Sequence, residues 1–247
     1  MSETALSNID VVVLAGGLGT RIQPVLGDVP KLLAPVNERT YLDYLLDWLQ
    51  GFGARRVILS LGHQATRIVD YVTAMPRDGM EIVPVIEDAP LGTAGALRHV
   101  RPHVQTGISL VMNGDSWIDA DLGMLVQAHE AEGAPATLLC VRVPDAGRFG
   151  QIETDSAGRI RAFREKDPDA GAGLINAGVY AFGPEAWDLL ADMAGPSLER
   201  DVFQTLPPSS LAAYDAGDVT FIDIGTPDSL ARAARVIGGA AADRGTT

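Results

Sequence analysis

Leu14-Ala15-Gly16-Gly17-Leu18-Gly19-Thr20-Arg21, with Pro30-Lys31 shortly after it, is the stretch on which the reading of this chain turns. It follows the apolar run Ile9 to Leu14, which predicts a fully buried strand. The glycines at 16, 17 and 19 let the backbone turn sharply and come close to a ligand with no Cβ in the way. The bare N–H groups of such a loop can cradle phosphate oxygens. Arg21 offers a planar fork to the same place, and Lys31 a point charge. Two other glycine-rich patterns do not fit. The dinucleotide fingerprint needs a glycine where Ile22 stands, and the Walker pattern needs a Gly-Lys-Ser/Thr ending that the loop lacks.

Outward from the loop, strand-like and helix-like stretches alternate. Residues 40–53 carry Leu42, Leu45, Leu46 and Leu49 at helical spacing. They open on a Thr40/Asp43 capping-box pattern, and Gly53 is placed to end them. Residues 56–60 predict a strand, 64–74 a helix, 81–86 a strand, 93–99 a helix, 109–112 a strand, 122–132 a helix and 136–143 a strand. This rhythm predicts an α/β chain: a Rossmann-like, mostly parallel mixed sheet with helices on both faces. Ligands of such sheets sit beyond the carboxyl ends of the strands, where the glycine loop, Glu87 and Asp115 all fall.

The second half changes rhythm. Residues 151–154 and 159–164 flank Asp155-Ser156-Ala157-Gly158, a hairpin pattern. Further strands are predicted at 178–182 and 220–224, and helices at 184–191, 198–206 and 227–237. The small, polar tail 238–247 is expected to fray. No repeat or linker divides the sequence. One domain over 1–247 is expected, its larger half about 1–143 and its smaller half, about 144–237, lying over one cleft as a lid.

Composition excludes several classes. Of 247 residues, 47% are hydrophobic and 21% charged, ordinary for a globular protein. No apolar run approaches the roughly 18 residues of a membrane span. No basic segment followed by an apolar one opens the chain, so no signal peptide is expected. Cys140 has no cysteine to pair with and stands in an apolar run, where it reads as buried filler. Both features suit a cytoplasmic protein with no membrane partner. A formal net charge of −13 repels nucleic-acid backbone. An enzyme of phosphates with that charge must gather its few cations locally and recruit a metal ion.

Two acidic motifs bear on that ion. Asn113-Gly114-Asp115 ends an apolar strand; read alone, it is a turn. Asp223 stands more than a hundred residues later in Phe221-Ile222-Asp223-Ile224-Gly225-Thr226-Pro227. A carboxylate in an apolar strand ending needs a partner, because an unpaired buried charge is expensive. Two such acids converging would bind a hard divalent cation, and Mg²⁺ suits a site completed by substrate phosphates. The histidines 63, 99, 103 and 129 offer no metal-site spacing, and no nucleophile elbow supports Ser-His-Asp hydrolysis.

The pattern G-x-G-T-R followed by P-K, with N-G-D and D-x-G-T-P further on, resembles the sugar-1-phosphate nucleotidyltransferases. The resemblance runs from Val11 to Asp228. It implies the nucleotide-diphospho-sugar transferase fold, and a catalytic set of Arg21, Lys31, Asp115, Lys166 and Asp223 with Asp115 and Asp223 on Mg²⁺. It places Leu14, Ala15, Gly16, Gly17, Gly19, Thr20, Arg21, Glu87, Gly92, Thr93 and Asp115 on the nucleotide. It places Lys31, Asn113, Gly150, Glu165, Lys166, Asn176, Gly178 and Glu199 on the sugar phosphate. The long β-helical extension of bifunctional or allosteric members is not matched. Leu26 is a departure, since many members have threonine there; it bears on subfamily rather than class.

Glu87-Asp88-Ala89-Pro90-Leu91-Gly92-Thr93 is similar to the family's base-reading segment. Guanine presents two adjacent donors, N1–H and N2–H₂, and a carboxylate can accept both. Glu87 therefore points to GTP. Together with Pro-Leu-Gly-Thr-Ala-Gly at 90–95 and Ser-Leu-Glu-Arg-Asp-Val-Phe at 197–203, the sequence is most similar to guanylyltransferases acting on D-glycero-D-manno-heptose 1-phosphate. Mannose 1-phosphate with GTP, and glucose 1-phosphate with dTTP or UTP, are the alternatives. A silent nucleotide-sugar sensor and an acidic interaction protein are readings of other classes; the intact charged set argues against the first, and the second predicts no nucleotide binding. The oligomeric state stays open, a homodimer included.

Overall fold

A computed structural model describes residues 4–147, 149–164, 167–207 and 210–244, with no side-chain description from 238 onward. Seven strands form the central sheet. In chain order they are β1 (Asp10–Ala15), β4 (Arg56–Leu61), β5 (Glu81–Ile86), β6 (Ser109–Asn113), β8 (Ala136–Val143), β11 (Gly173–Phe182) and β12 (Leu211–Asp215). Their spatial order is β12-β8-β11-β6-β1-β4-β5. Every neighbouring pair is parallel except the two that involve β11, which runs antiparallel to β6 and β8. The expected mostly parallel mixed sheet is therefore present. Its antiparallel member comes from the second half, so both halves share one sheet.

Strand alternation sorts the core into two layers. Val11, Val13, Val57, Leu59, Leu110 and Met112 face one layer, while Val12, Ile58 and Val111 face the other. The first layer receives α2 (Tyr41–Gly51), α3 (Ala65–Ala74), α5 (Leu122–Glu132) and α7 (Pro227–Arg244). The second receives α4 (Gly92–Val100), α6 (Pro184–Asp192) and a π-helical turn at Leu198–Phe203. The Thr40–Asp43 capping box forms in full at the start of α2. Such a cap stabilises a helix by about 1 kcal/mol. Asp10, 2% exposed at the start of β1, is satisfied by Arg56 Nη1 at 3.1 Å and the Gln105 amide at 2.6 Å. Cys140 is fully buried, as expected.

Smaller pieces complete the chain. α1 (Gln23–Leu26) is one helical turn after the glycine loop, and β2 (Pro35–Val36) pairs with β3 (Arg39–Thr40). β7 (Ser116–Ile118) pairs antiparallel with β13 (Phe221–Asp223). β9 (Gln151–Thr154) and β10 (Ile160–Arg164) form the expected hairpin. Two expectations need correction. The 178–182 strand begins earlier, at Gly173, and a register shift between Asn176 and Tyr180 lets it run on through this stretch. The last helix does not stop at Ile237; it continues to Arg244, because 240–242 are alanines, the best helix formers, and outweigh the glycines at 238 and 239.

Candidate active site

The carboxyl ends of four neighbouring parallel strands open on one cleft of about 540 Å³. β1 delivers the glycine loop, β4 delivers His63 and Gln64, β5 delivers Glu87, and β6 delivers Asn113 to Asp115. Leu14, Ala15, Gly16, Gly17, Gly19, Thr20, Arg21, Lys31, Glu87, Gly92, Thr93, Asn113 and Asp115 all line the cleft. The residues expected on the nucleotide are thus brought together. Because β11 runs the other way, its early residues lie beside the carboxyl end of β6. Val179 pairs with Met112, and Gly178 (φ +74°) lies against the Asn113 amide, which a Cβ there would strike at 2.5 Å. Antiparallel insertion of one strand is what sets Gly178 beside Asn113, at the edge of the cleft.

Glu87 lies against two glycine backbones. A Cβ on Gly16 or on Gly62 would collide with its Oε1, and its Oε2 accepts from the Leu91 amide at 3.3 Å. The two bare backbones make room for the carboxylate. Gly62 and Gln64 were not singled out from the sequence; the signal available for Gly62 was a glycine directly after a strand.

Asp115 and Asp223 meet. The β7–β13 ribbon pairs Asp223 with Ser116, and the Ile224 amide donates to the Asp115 carbonyl at 2.9 Å. Lys31 Nζ lies 2.6 Å from Asp115 Oδ2 and 3.9 Å from Asp223 Oδ1. Asp223 Oδ1 also accepts from the Gly225 amide at 2.6 Å. A Cβ on Gly225 would lie 2.7 Å from that oxygen and 3.1 Å from Arg21 Nη2, so Arg21 reaches the same corner. All three charged side chains are only partly shielded, so their Coulomb terms are neither bulk-water weak nor interior strong.

The donors test the expected Mg²⁺. Two hard carboxylates already face a common cation, the Lys31 ammonium, and no group of three or more His, Cys, Asp or Glu gathers among the described residues. Mg²⁺ takes one or two carboxylates and completes its shell with phosphates and water, so this pair fits it.

Of the residues expected on the sugar phosphate, Lys31 and Asn113 line the cleft, while Asn176, Gly178 and Glu199 form a second group. Asn176 Nδ2 donates to Glu199 Oε1 and to the Tyr180 hydroxyl, both at 3.0 Å, and Asn176 Oδ1 accepts from the Gly178 amide at 2.9 Å. Burial pushes the Tyr180 phenol well above its ordinary pKa, with the Glu199 carboxylate adding to it. Tyr180 therefore stays a neutral prop for Asn176. Gly150 has φ +76° and follows Phe149, whose ring meets Phe221 edge-on at 5.5 Å. None of Gly150, Asn176, Gly178 and Glu199 lines the 540 Å³ cleft. Glu165 and Lys166 lie outside the described residues. Thr93 differs from expectation in one respect: its hydroxyl accepts from the Leu198 amide at 2.8 Å.

The nucleotidyl transferase family profile matches residues 10–238. A mannose-1-phosphate guanylyltransferase of Mycobacterium tuberculosis is 34% identical over 92% of this chain. The chain spans 64% of that relative's length. A D-glycero-alpha-D-manno-heptose 1-phosphate guanylyltransferase of Campylobacter jejuni is 30% identical over 89% of this chain and 96% of its own. The crystal structure of HddC from Yersinia pseudotuberculosis complexed with GMP-PN superposes with a TM-score of 0.80 at 29% identity, covering 92% of this chain and 98% of that one. No described helix is long and apolar enough to cross a membrane.

Proposed function

The chain belongs to the nucleotidyl transferase family, and we propose that it joins a nucleoside triphosphate, GTP by preference, to a sugar 1-phosphate. The sugar proposed is D-glycero-D-manno-heptose 1-phosphate, giving GDP-heptose for surface polysaccharide and pyrophosphate, in the cytoplasm. Mannose 1-phosphate is the alternative that the Mycobacterium tuberculosis relative favours. The observation carrying the proposal is the meeting of Asp115 and Asp223 beside a cleft edged by the glycine loop.

In the proposed reaction a phosphate oxygen of the sugar phosphate attacks the α-phosphorus. One P–O bond forms as the bond to pyrophosphate breaks. The attacking group has a second pKa of about 6, so it is already ionised near neutral pH and needs no general base. Catalysis is then positioning and charge neutralisation. Arg21 and the amides of 17–19 hold the triphosphate and take up the charge of the leaving group. Lys31 gives up Asp115 for a phosphate oxygen and offsets repulsion between the two anions. Asp115 and Asp223 would hold Mg²⁺, which when bound neutralises phosphate charge. Glu87 accepts from the guanine N1–H and N2–H₂. Asn113, Asn176 and Glu199 are proposed to orient the sugar, and Lys166, by resemblance, its phosphate.

Pyrophosphate release from purified protein, with Mg²⁺ and a panel of GTP, UTP, dTTP and ATP against heptose, mannose and glucose 1-phosphates, tests the reading. GTP with heptose or mannose 1-phosphate is expected to be fastest. Binding heat without pyrophosphate from any pair identifies a sensor and sinks the enzymatic reading.

A further inference from the structure

Helix α4 starts in the nucleotide cleft and is tied along its length to the segment that carries Glu199. At its first turn the Ala94 amide donates to the Pro196 carbonyl at 2.8 Å, and Thr93 Oγ1 accepts from the Leu198 amide at 2.8 Å. Gly92, at φ +70°, lets the Pro196 carbonyl come so close that a Cβ would lie 2.5 Å from its oxygen. Near its other end Arg98 spreads its guanidinium over three carbonyls: Gly195 at 2.6 Å, Met193 at 3.2 Å and Leu190 at 3.4 Å. A planar fork with fixed donors suits three diverging acceptors where an ammonium does not. The clamped segment is itself tight. Asp201 Oδ2 accepts from the Ser197 amide at 2.7 Å, and Ser197 Oγ accepts from the Arg200 amide at 3.2 Å. The next side chain, Glu199, reaches Asn176.

We propose that Thr93 and Arg98 are positioning residues for the sugar phosphate: acting through the 193–198 segment, they hold Glu199 against Asn176, so that α4 ties the nucleotide cleft to the sugar side. The proposal rests on the function proposed above, in which Glu199 and Asn176 orient the sugar. Thr93 lines the nucleotide cleft, yet its hydroxyl is committed to the other substrate's side. Losing one hydrogen bond of this kind corresponds to a change of about fivefold.

The test splits the two substrates. In Thr93→Val and Arg98→Lys, the KM for the sugar 1-phosphate is expected to rise about fivefold or more. The calorimetric Kd for GTP stays within about twofold in Arg98→Lys, whose side chain does not line the cleft, and Thr93→Ser restores the sugar constant. A loss that falls on GTP binding in Arg98→Lys, or a Thr93→Val protein that matches wild type in its sugar constant, overturns the proposal. Amide hydrogen exchange separates this from failure of the enzymatic reading, which wild-type turnover alone decides. Should wild type turn over no pair, Leu198 and Glu199 amides exchanging faster in Thr93→Val than in Thr93→Ser still support the strut, and equal exchange overturns it.

Discussion

The Lys31 ammonium lies 2.6 Å from Asp115 Oδ2, between two carboxylates that the chain brings together from residues 115 and 223. It stands where a divalent cation would be drawn. Lys31→Met removes the competing charge, so the nucleotide-free protein is expected to bind Mn²⁺ about tenfold more tightly by electron paramagnetic resonance, while turnover falls. Unchanged Mn²⁺ affinity would show that Lys31 does not compete for the acids.

Asp115→Asn and Asp223→Asn keep the size and the turn geometry but remove one negative charge each. Turnover is expected to fall by roughly a thousandfold, the scale of losing an electrostatic stabiliser at the reacting phosphates. Circular dichroism and thermal midpoint should stay near wild type, since both side chains are partly exposed. Near-normal pyrophosphate release from either folded variant would refute their role.

Glu87→Gln exchanges an acceptor-only group for one that donates and accepts. The kcat/KM for GTP is expected to drop by about a hundredfold, with UTP or dTTP gaining relative to it. An unaltered order of triphosphates would take base reading away from Glu87.

His129 is 5% exposed on α5, with Nδ1 3.0 Å from Thr137 Oγ1. Burial lowers its pKa below the ordinary 6.5, against a smaller upward pull from Glu130. The neutral ring is the one the fold accommodates, so the unfolded chain binds the proton more readily. Stability contributed by His129 is therefore present above pH 6.5 and lost as pH falls from there through the lowered folded value. Urea midpoints measured from pH 7.5 to 5 should fall more steeply for wild type than for His129→Gln. Parallel slopes would remove His129 from the acid response.

Much of this arrangement was legible in the sequence because it is local. The glycine loop, the capping box at Thr40 and Asp43, and the alternation of strand and helix depend on neighbours a few residues apart. Asp115 and Asp223 were readable as odd carboxylates in apolar strand endings. What escaped depends on distant partners. β12 has two alanines in Leu-Ala-Ala-Tyr-Asp and gains its strand character from pairing along β8. The strand predicted from Gly178 begins at Gly173, because its left-handed glycine and irregular register sit inside a strand held by distant partners. Thr93 reads as a helix-start residue facing the nucleotide, and only the folded chain shows its hydroxyl accepting from Leu198.

The β7–β13 ribbon has a consequence for dividing the chain. Its two strands come from opposite sides of residue 143, and the amide-to-carbonyl bond from Ile224 to Asp115 crosses that boundary. A cut after Val143 would leave each fragment with a single acid and an unpaired three-residue edge. Neither fragment would keep the facing pair of carboxylates, and activity could return only if the two pieces zipped together again along that short ladder.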